Sequence, residues 1–208
     1  RLKNGGRIGL VSDAGAPLVS DPGFRLVRAA IADEAKVIPI PGASAVIAGL
    51  SIAGLPTDRF LFAGFPPPRS AARRALFEEL APLRSTLVFF EGGSRLKDSL
   101  ADMAAVFGPR QAAMGRELTK LYETCIRGTL DELAADPRMD HPKGEIVVLV
   151  GPGEEKAASA DDADAALREA LKRAGPSEAA SEVAKALGLP RRDLYRRALD
   201  LRNGELRS

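Results

Sequence analysis

Short apolar runs alternate with amphipathic stretches along most of the chain. The apolar runs predict strands at Arg7–Val11, Lys36–Ile40, Phe60–Phe65, Ser85–Phe90, Gln111–Met114 and Glu145–Val150. The stretches between them predict helices at Phe24–Ala32, Ser44–Ala53, Ala71–Leu80, Ser94–Phe107 and Thr129–Ala135. Strands that alternate with helices are typical of an α/β fold with a largely parallel or mixed sheet, so this is the fold class that we expect.

The pattern becomes purely helical after the last predicted strand. Gly151-Pro152-Gly153 and the acidic residues that follow predict a polar linker. Three apolar stripes come next, each separated from the following one by a glycine, in Ala163–Ala174, Ala179–Leu187 and Leu194–Leu201. A helix, a glycine turn and an arginine-bearing helix outline a helix-turn-helix, which is one of several uses of a small three-helix module.

These patterns predict four parts of the chain. The sequence opens without a methionine or a signal sequence and reaches its first predicted strand at Arg7, so we expect the first subdomain to be truncated at its N-terminus. The four parts are a partial N-terminal α/β subdomain, a second α/β subdomain, an acidic linker and a basic helical module. Their predicted bounds are 1–56, 57–152, 153–162 and 163–208.

The net charge of +2 conceals an uneven distribution of charge. Residues 154–169 carry six acidic and two basic side chains, whereas residues 185–207 carry seven basic and three acidic ones. The basic end is suited to a polyanion, although a solvated helix face explains such a charge pattern equally well. One cysteine and one histidine exclude an internal disulfide framework and a Cys/His-rich metal site. No apolar run approaches the roughly 20 residues that cross a bilayer, so we expect no membrane partner. The single cysteine favours a reducing compartment, and we expect a cytoplasmic protein.

The segment Leu10–Gly23 is the most informative candidate for a ligand-binding loop. It follows a predicted strand, precedes a predicted helix, and contains Ser12, Asp13 and Gly15. Ligands of open α/β sheets bind at the carboxyl ends of strands, where glycine allows close approach of the backbone. The alternative is a rigid connection in which Asp21 caps the following helix. A phosphate-binding P-loop is excluded because no Gly-Lys-Ser/Thr follows.

Three further segments combine small or polar residues with the end of a predicted strand. Pro41-Gly-Ala-Ser-Ala45 opens a helix of small residues, which permits close approach of a ligand or simply close packing. Phe90-Glu-Gly-Gly-Ser94 follows one predicted strand, and Arg116-Glu-Leu-Thr-Lys120 follows another and continues into Tyr122-Glu-Thr124. The density of polar side chains in the last segment favours a functional loop.

In this order, the segments resemble a known family. The motifs that carry the resemblance are Val11-Ser-Asp-Ala-Gly-Ala-Pro17, Asp21-Pro-Gly23, Pro41-Gly-Ala-Ser-Ala45, Ala53-Gly-Leu-Pro56, Asp58-Arg-Phe60, Phe90-Glu91, Arg116-Glu-Leu-Thr-Lys120 and Lys143-Gly-Glu145. The chain is similar over nearly its whole length to the bacterial small-subunit ribosomal RNA 2′-O-ribose cytidine methyltransferases of the tetrapyrrole methylase superfamily. Any one motif is weak, but their common order is specific.

The resemblance implies two α/β subdomains with S-adenosylmethionine between them, a homodimer, and ribosomal RNA of the small subunit, not DNA, as the partner. It implies cofactor contacts from the two first loops and from later strand ends. These residues are Ser12, Asp13, Ala14, Gly15, Ala16, Ser44, Ala45, Glu91, Leu118, Gly144 and Ile146. Leu118 and Ile146 are expected to supply an apolar slot for adenine.

The chain departs from the family pattern at two places. The family begins with a strand and a loop of the type Pro-Ile-Gly-Asn-Leu, and nothing like it precedes Arg1. After Phe90-Glu91 the family usually has Ser-Pro-His-Arg, whereas this chain has Gly92-Gly93-Ser94-Arg95, so only the arginine is kept.

The base that assists a ribose hydroxyl remains open among several side chains. The candidates are Asp13, Glu91, Glu117, Lys120 and Glu123, and we favour Lys120, Glu117 and Glu123 because they share a polar strand-end loop that matches a family motif. A lysine base requires a lowered pKa. Arg191, Arg192, Arg196 and Arg197 are the expected RNA contacts. The alternatives are a methylase of tetrapyrroles or other small molecules in the same superfamily, and a non-catalytic RNA-binding module.

Overall fold

The computed structural model describes residues 1–153 and 160–204. The chain divides into two compact units, residues 1–153 and residues 154–208. The predicted boundary near residue 56 falls inside the first unit, and most of the predicted acidic linker, residues 154–159, lies outside the described residues.

The first unit is built on a five-stranded mixed sheet. Its strands are β1 (Phe60–Gly64), β2 (Thr86–Gly92), β3 (Gln111–Arg116), β4 (Thr124–Thr129) and β5 (Glu145–Val150). Their order in the sheet is β1-β2-β5-β3-β4. The pair β1–β2 is parallel and the other pairs are antiparallel, so the α/β class and the mixed sheet are confirmed.

The helices follow the amphipathic stretches of the sequence closely. Those of the first unit are α1 (Phe24–Ala32), α2 (Ala45–Ala53), α3 (Ser70–Leu80), α4 (Leu96–Phe107) and α5 (Leu130–Ala135). Thr129, predicted as a helical residue, is the N-cap of α5: its hydroxyl accepts the Glu132 N–H, and the Glu132 carboxylate accepts the Thr129 N–H. Ser94 caps no helix, because Gly93–Arg95 form a 3₁₀ turn before α4.

The sheet buries a core on each face. On one face it packs with α3, α4 and α5 around the fully buried side chains of Phe77, Leu100 and Met103. On the other face α2 packs through Val46 and Leu50. Removing these apolar side chains from water is the main driving force for the layered arrangement.

Two predicted strands are absent from the first unit. Arg7–Val11 and Lys36–Ile40 are apolar as predicted, but neither pairs with another strand among residues 1–153 and 160–204. Val11 is 86% exposed and Ile40 is 84% exposed. A strand needs hydrogen bonds from a neighbour, which an apolar run alone does not provide. Conversely, the apolar pattern does not predict β4, because polar residues and Gly128 interrupt it.

The second unit is a three-helix module, as the apolar stripes predict. Its helices are α6 (Ala160–Leu171), α7 (Pro176–Leu187) and α8 (Arg191–Asn203). Gly188 ends α7 in the left-handed region, with φ of 66°, and α8 begins after Pro190. Alanine and leucine side chains from all three helices form its core. No helix in the described ranges is long and apolar enough to cross a membrane.

Candidate cofactor and RNA site

The candidate segments that follow β2 and β3 lie at the same edge of the sheet as the start of β5. Strands β2 and β3 both run antiparallel to β5, and β1 runs parallel to β2, so all three end where β5 begins. This edge therefore carries the segment after β2, the loop Glu117–Glu123 after β3, and Gly144 before β5. The carboxyl ends of strands are the usual location of ligand sites in such sheets.

The first loop lies beside the start of α2, although no strand precedes it. The Ser12 hydroxyl donates to the carbonyl oxygens of Ala14 and Gly15 at 3.3 Å each, which closes a tight turn. Gly15 has φ of 69°, and a Cβ there would lie 3.6 Å from the Ala43 carbonyl oxygen. Residues 12–16 and the turn that leads to Ser44 are therefore neighbours. Asp21 is not the cap of α1, because Gly23 occupies that position.

The N-terminus of α2 is open to a ligand. Ser44 is its N-cap residue, and its hydroxyl makes no capping hydrogen bond. The first N–H groups of a helix have no partner within the helix and favour a negatively charged group. On its inner side, α2 approaches the sheet at Gly49, where a Cβ would lie 3.1 Å from Leu149. The small-residue pattern of α2 thus serves close packing, and its half-buried first residues, Ser44 and Ala45, remain accessible.

Leu118 fixes the loop after β3 onto the face that carries α2. Its side chain is buried in the cluster that contains Val46 and Leu50, and a Cβ on Gly115 would lie 2.9 Å from Leu118 Cδ1. The structure therefore brings Leu118 to the same face of the sheet as α2.

Glu117 crosses over Gly144 and holds the start of β5. Its carboxylate accepts the Glu145 N–H at 2.8 Å, while its own N–H donates to the Glu145 carbonyl at 2.9 Å. Gly144 has φ of 100°, and a Cβ there would lie 2.7 Å from Glu117 Cγ. Glycine is required at this position by both the backbone conformation and the space.

Lys120 is held between two carboxylates. Its ammonium lies 3.0 Å from Glu145 Oε2 and 3.2 Å from Glu117 Oε1. The hydrogen bond to Glu145, followed by that to Glu117, raises the pKa of Lys120. The hydrogen bond from the Glu145 backbone, followed by that from Lys120, lowers the pKa of Glu117. At neutral pH, therefore, Lys120 is a cation and Glu117 an anion, and Lys120 lacks the lowered pKa that a lysine base requires.

The other favoured acid is also engaged within the loop. The Glu123 carboxylate accepts the Thr119 N–H at 2.7 Å. Asp13, in contrast, is exposed and makes no hydrogen bond or ion pair with the residues that the structure describes. Of these carboxylates, Asp13 is the one that is free to meet a substrate.

Glu91 and Ile146 lie away from the α2 face. They are directly paired across β2 and β5, and the Ile146 side chain belongs to the core with α3–α5. Paired side chains point to the same face, so Glu91 does as well. Its Oε1 contacts Arg95 at 2.7 Å and accepts the Gly92 N–H at 2.8 Å, while its buried Oε2 has no partner. The Ile146 side chain is thus not brought together with Leu118.

The turn before β5 lies against Gly93. A Cβ at Gly93 would be 1.7 Å from the Pro142 carbonyl oxygen. No side chain fits there unless the turn moves, which gives the glycine at this position a structural reason.

Two features of the first unit are not predicted from the sequence. The first is a buried ion pair, in which Arg73 Nε donates to Asp102 at 2.8 Å and the Ser70 hydroxyl donates to the same carboxylate. No local motif indicated that pair, because its members lie on separate helices. The second is the exposed pair Leu121 and Tyr122, which follows the Arg116–Lys120 motif and presents apolar surface within an otherwise polar segment.

The four arginines predicted to bind RNA differ in their surroundings. Arg197 is committed to a bidentate ion pair with the buried Asp164, and hydrogen bonding to Arg197 lowers the pKa of Asp164. Arg191 donates to the hydroxyls of Ser181, at 2.7 Å, and Ser177, at 3.0 Å. Arg192 and Arg196 are exposed and make no ion pair in the described part of the chain.

Two family models match the chain. Residues 1–134 match the Tetrapyrrole (Corrin/Porphyrin) Methylases, and residues 157–202 match the RsmI C-terminal HTH domain. The chain therefore belongs to the tetrapyrrole methylase family, a class of methyltransferases that use S-adenosylmethionine.

Several similar proteins bear the name ribosomal RNA small subunit methyltransferase I. The protein of Mesorhizobium japonicum is 49% identical over 204 residues, which cover 97% of this chain and 69% of that protein. The protein of Erythrobacter litoralis is 53% identical over 176 residues, 85% of this chain and 63% of that protein. That of Halalkalibacterium halodurans is 41% identical over 205 residues, 93% of this chain and 70% of that protein. The chain thus spans 63–70% of the length of these three relatives.

The residues around α2 fit S-adenosylmethionine. The open N-terminus of α2 and the unbonded Ser44 hydroxyl suit the carboxylate of its methionine portion. Gly15 permits close approach of the neighbouring first loop, whose residues Ala14 and Ala16 are small. Leu118 adds apolar surface on the same face of the sheet. The helix N-terminus therefore suits the charged methionine end of the cofactor, and Leu118 suits the flat face of its adenine.

Proposed function

We propose that the chain transfers a methyl group from S-adenosylmethionine to the 2′-hydroxyl of a cytidine ribose in ribosomal RNA of the small subunit. The observation that carries this proposal is that one chain combines a part that matches the methylase family with a part that matches a helix-turn-helix domain. The similar protein of Mesorhizobium japonicum, named ribosomal RNA small subunit methyltransferase I, aligns with 97% of the chain and so with both parts. The ribose oxygen and the cytidine follow from the resemblance of the ordered motifs. We place this activity in the cytoplasm and expect a homodimer.

The cofactor supplies an activated methyl group on a sulfonium, so the protein has mainly to align the acceptor and remove its proton. Ser44, Ala45 and residues 12–16 would hold its methionine end, and Leu118 would contact its adenine. Glu117 and Gly144 shape this edge through their contacts with Glu145. Glu91 and Ile146, which the resemblance also implies near the cofactor, would act from the opposite face by supporting the end of β2 and the start of β5.

Within this proposal, Asp13 accepts the proton of the ribose hydroxyl. It is the free carboxylate of the first loop, whereas Glu117 and Glu123 are hydrogen-bonded within the loop after β3. Lys120 remains protonated, because two carboxylates stabilise its charge, and it positions Glu117 and Glu145. Asp13→Asn is therefore expected to lower kcat about 100-fold or more at saturating S-adenosylmethionine, as for loss of a general base.

The decisive experiment supplies small ribosomal subunits and radiolabelled S-adenosylmethionine to the protein and digests the RNA to nucleosides. The proposal predicts label in 2′-O-methylcytidine. Label on a base, or on an added tetrapyrrole and not on RNA, would replace it with another methylase activity. RNA binding without cofactor binding, measured by calorimetry, would favour a non-catalytic RNA-binding module.

The helical module is proposed to grip the RNA through Arg192 and Arg196, because both are exposed and free of acidic partners. Arg191 and Arg197 orient α8 through Ser177, Ser181 and Asp164 and contribute charge from these fixed positions.

The double variant Arg192→Gln/Arg196→Gln tests that division. Each lost phosphate contact reduces the salt slope of single-stranded RNA binding by about 0.7, so we expect a slope smaller by about 1.4 and unchanged affinity for S-adenosylmethionine. The control Arg74→Gln/Lys97→Gln removes the same charge from the first unit. Equal effects of the two double variants would show that net charge, and not α8, controls the binding.

A further inference from the structure

The loop between β3 and β4 presents two apolar side chains to solvent. Leu121 is 88% exposed and Tyr122 is 69% exposed, whereas Leu118 of the same loop is only 6% exposed. Single exposed apolar residues are common on protein surfaces and need no explanation. The way in which this loop is constructed gives the pair its significance.

Hydrogen bonds hold the loop on both sides of its tip, by which we mean the exposed residues Leu121 and Tyr122. The Lys120 N–H donates to the Glu117 carbonyl at 3.0 Å, and the Glu123 N–H donates to the Lys120 carbonyl at 3.2 Å. The Glu123 carboxylate closes the loop by accepting the Thr119 N–H. Buried Leu118 anchors it to the sheet. The tip is therefore fixed in place by contacts at both ends.

The backbone of the loop adopts an unfavourable conformation to achieve this shape. Glu117 has φ of 49° and Thr119 has φ of 67°, although neither is glycine. Side chains with a Cβ rarely adopt this region, and a β-branched residue such as threonine least of all. Such conformations persist where the surrounding contacts enforce them, and they concentrate at ligand-contacting segments.

We infer that Tyr122, supported by Leu121, is a platform on which an unpaired nucleobase of the RNA stacks. The inference rests on the proposed function and adds to it a residue that selects single-stranded RNA. The loop that carries the platform also carries Glu117 and Lys120, so a stacked base would lie beside the edge where the methyl transfer is proposed. Aromatic side chains bind single-stranded nucleic acid in this way, and a base held out of its helix exposes its ribose.

The charges at the base of the loop favour RNA as the occupant. Arg116 and Lys143 lie together there, with the Arg116 guanidinium 3.4 Å from the Lys143 carbonyl oxygen. Neither side chain forms an ion pair among residues 1–153 and 160–204, so both remain available to phosphates. The three acids nearby are engaged: Glu117 and Glu145 with Lys120, and Glu123 with the Thr119 N–H.

The apolar area is too small for a protein partner to rest on it alone. A stable protein interface buries about 800 Å² on each side, whereas two large side chains bury roughly 300–500 Å². The neighbouring residues Lys120 and Glu123 are exposed and charged, and the tip is not continued by further apolar surface within the loop. One nucleobase matches the size of the tip.

Substitutions of Tyr122 test the platform with the full chain. Tyr122→Ala is expected to raise KM for small ribosomal subunits about 10-fold or more, and to leave kcat and the Kd for S-adenosylmethionine within about 2-fold, since stacking contributes to binding of the RNA. Tyr122→Phe and Tyr122→Trp, which keep an aromatic face, are expected to remain within about 3-fold of the original KM. Leu83→Ala, which removes an exposed apolar side chain at the opposite edge of the sheet, is the control.

A fluorescent probe reports the stacking without methyl transfer. A single-stranded RNA oligonucleotide containing 2-aminopurine is expected to lose fluorescence when it binds, and to lose it much less with Tyr122→Ala. The inference is overturned if Tyr122→Ala leaves both KM and the quenching unchanged. It is also overturned if Tyr122→Phe loses as much quenching as Tyr122→Ala, because that result would indicate the hydroxyl and not the ring. A change of oligomeric state in Tyr122→Ala, measured by sedimentation, would assign the tip to a protein contact. If no RNA is methylated but the quenching still depends on Tyr122, the proposed function fails and the stacking contact stands.

Discussion

Residues 1–43 and residues 44–153 have equally apolar sequences but bury them very differently. In the first region the described structure contains one helix, and Ala30 is its one buried hydrophobic residue. Among residues 1–153 and 160–204, 18 large hydrophobic residues are exposed, and ten of them belong to this first region. The second region buries most of its apolar residues, on both faces of the sheet.

The difference shows what a hydrophobic pattern leaves undetermined. Lys36–Ile40 and Glu145–Val150 both predict a strand, yet β5 lies between β2 and β3, while residues 36–40 have no neighbouring strand in the described structure. A run of apolar residues favours an extended chain, but the ladder of hydrogen bonds comes from a partner that may lie far away in sequence. Within this sheet, burial is greatest in β2, β3 and β5, the strands that have a neighbour on each side.

The two regions are expected to differ most in how much the free energy of unfolding falls when an apolar side chain is truncated. Leu100→Ala should lower the free energy of unfolding by about 3–5 kcal/mol, because Leu100 is fully buried and leaves a cavity. Ile40→Ala should change it by less than about 0.5 kcal/mol, since the side chain is 84% exposed. Urea unfolding of both variants measures this. A cost above about 2 kcal/mol for Ile40→Ala would show that residues 36–40 are packed in solution.

An ion pair in each region extends the comparison. Asp102→Ala should destabilise the protein by about 3 kcal/mol, because the side chain of Arg73, only 4% exposed, loses its partner. Asp33→Ala breaks the exposed Lys3–Asp33 pair, 3.0 Å long, and should cost about 0–0.5 kcal/mol. Thermal unfolding of each variant measures both. The double variant Arg73→Met/Asp102→Leu should recover most of the loss, and a double variant as unstable as Asp102→Ala would contradict this explanation.

The smallest expected effect is on the pH dependence of stability and concerns the Glu117 carboxylate in residues 44–153. The pKa of Glu117 is lowered on folding, so its stabilising contribution is present above its ordinary pKa of about 4.5 and is lost as the pH falls through the lower, folded value. Glu117→Gln should therefore flatten the acid side of the stability profile. Denaturant midpoints measured between about pH 3 and 6 test this. Equal profiles for Glu117→Gln and the original chain would refute the role of the Glu117 contacts.

The sequence predicted most helices because their apolar periodicity is local. Phe24–Ala32 agrees to the residue, and the module of α6, α7 and α8 follows its apolar stripes and glycine stops. Strand pairing depends on distant residues, which is why Arg7–Val11 was wrong and β4 was missed. The sheet edge at which β3 ends and β5 begins is likewise a product of topology.

The sequence predicted which segments form the candidate site, but not how their side chains contact one another. The ordered motifs pointed to the first loop, the start of α2 and the loop after β3, and the structure places Gly15 beside Ala43 and Leu118 on the α2 face. The motifs did not show that Lys120 forms ion pairs with Glu117 and Glu145, because these partners are brought together by the fold. For the same reason, the sequence alone does not distinguish Arg192 and Arg196, unpaired among the described residues, from Arg197, whose partner Asp164 lies on another helix.

The contact between Gly93 and Pro142 restricts how the sequence can change over evolution. The family pattern has proline where this chain has Gly93, and any Cβ there would meet the Pro142 carbonyl oxygen at 1.7 Å. A change to proline at residue 93 is therefore expected to be harmful unless the turn around residue 142 shifts. We expect the two positions to depend on each other, so that a motif copied from a relative into residues 92–94 requires the relative's own turn as well.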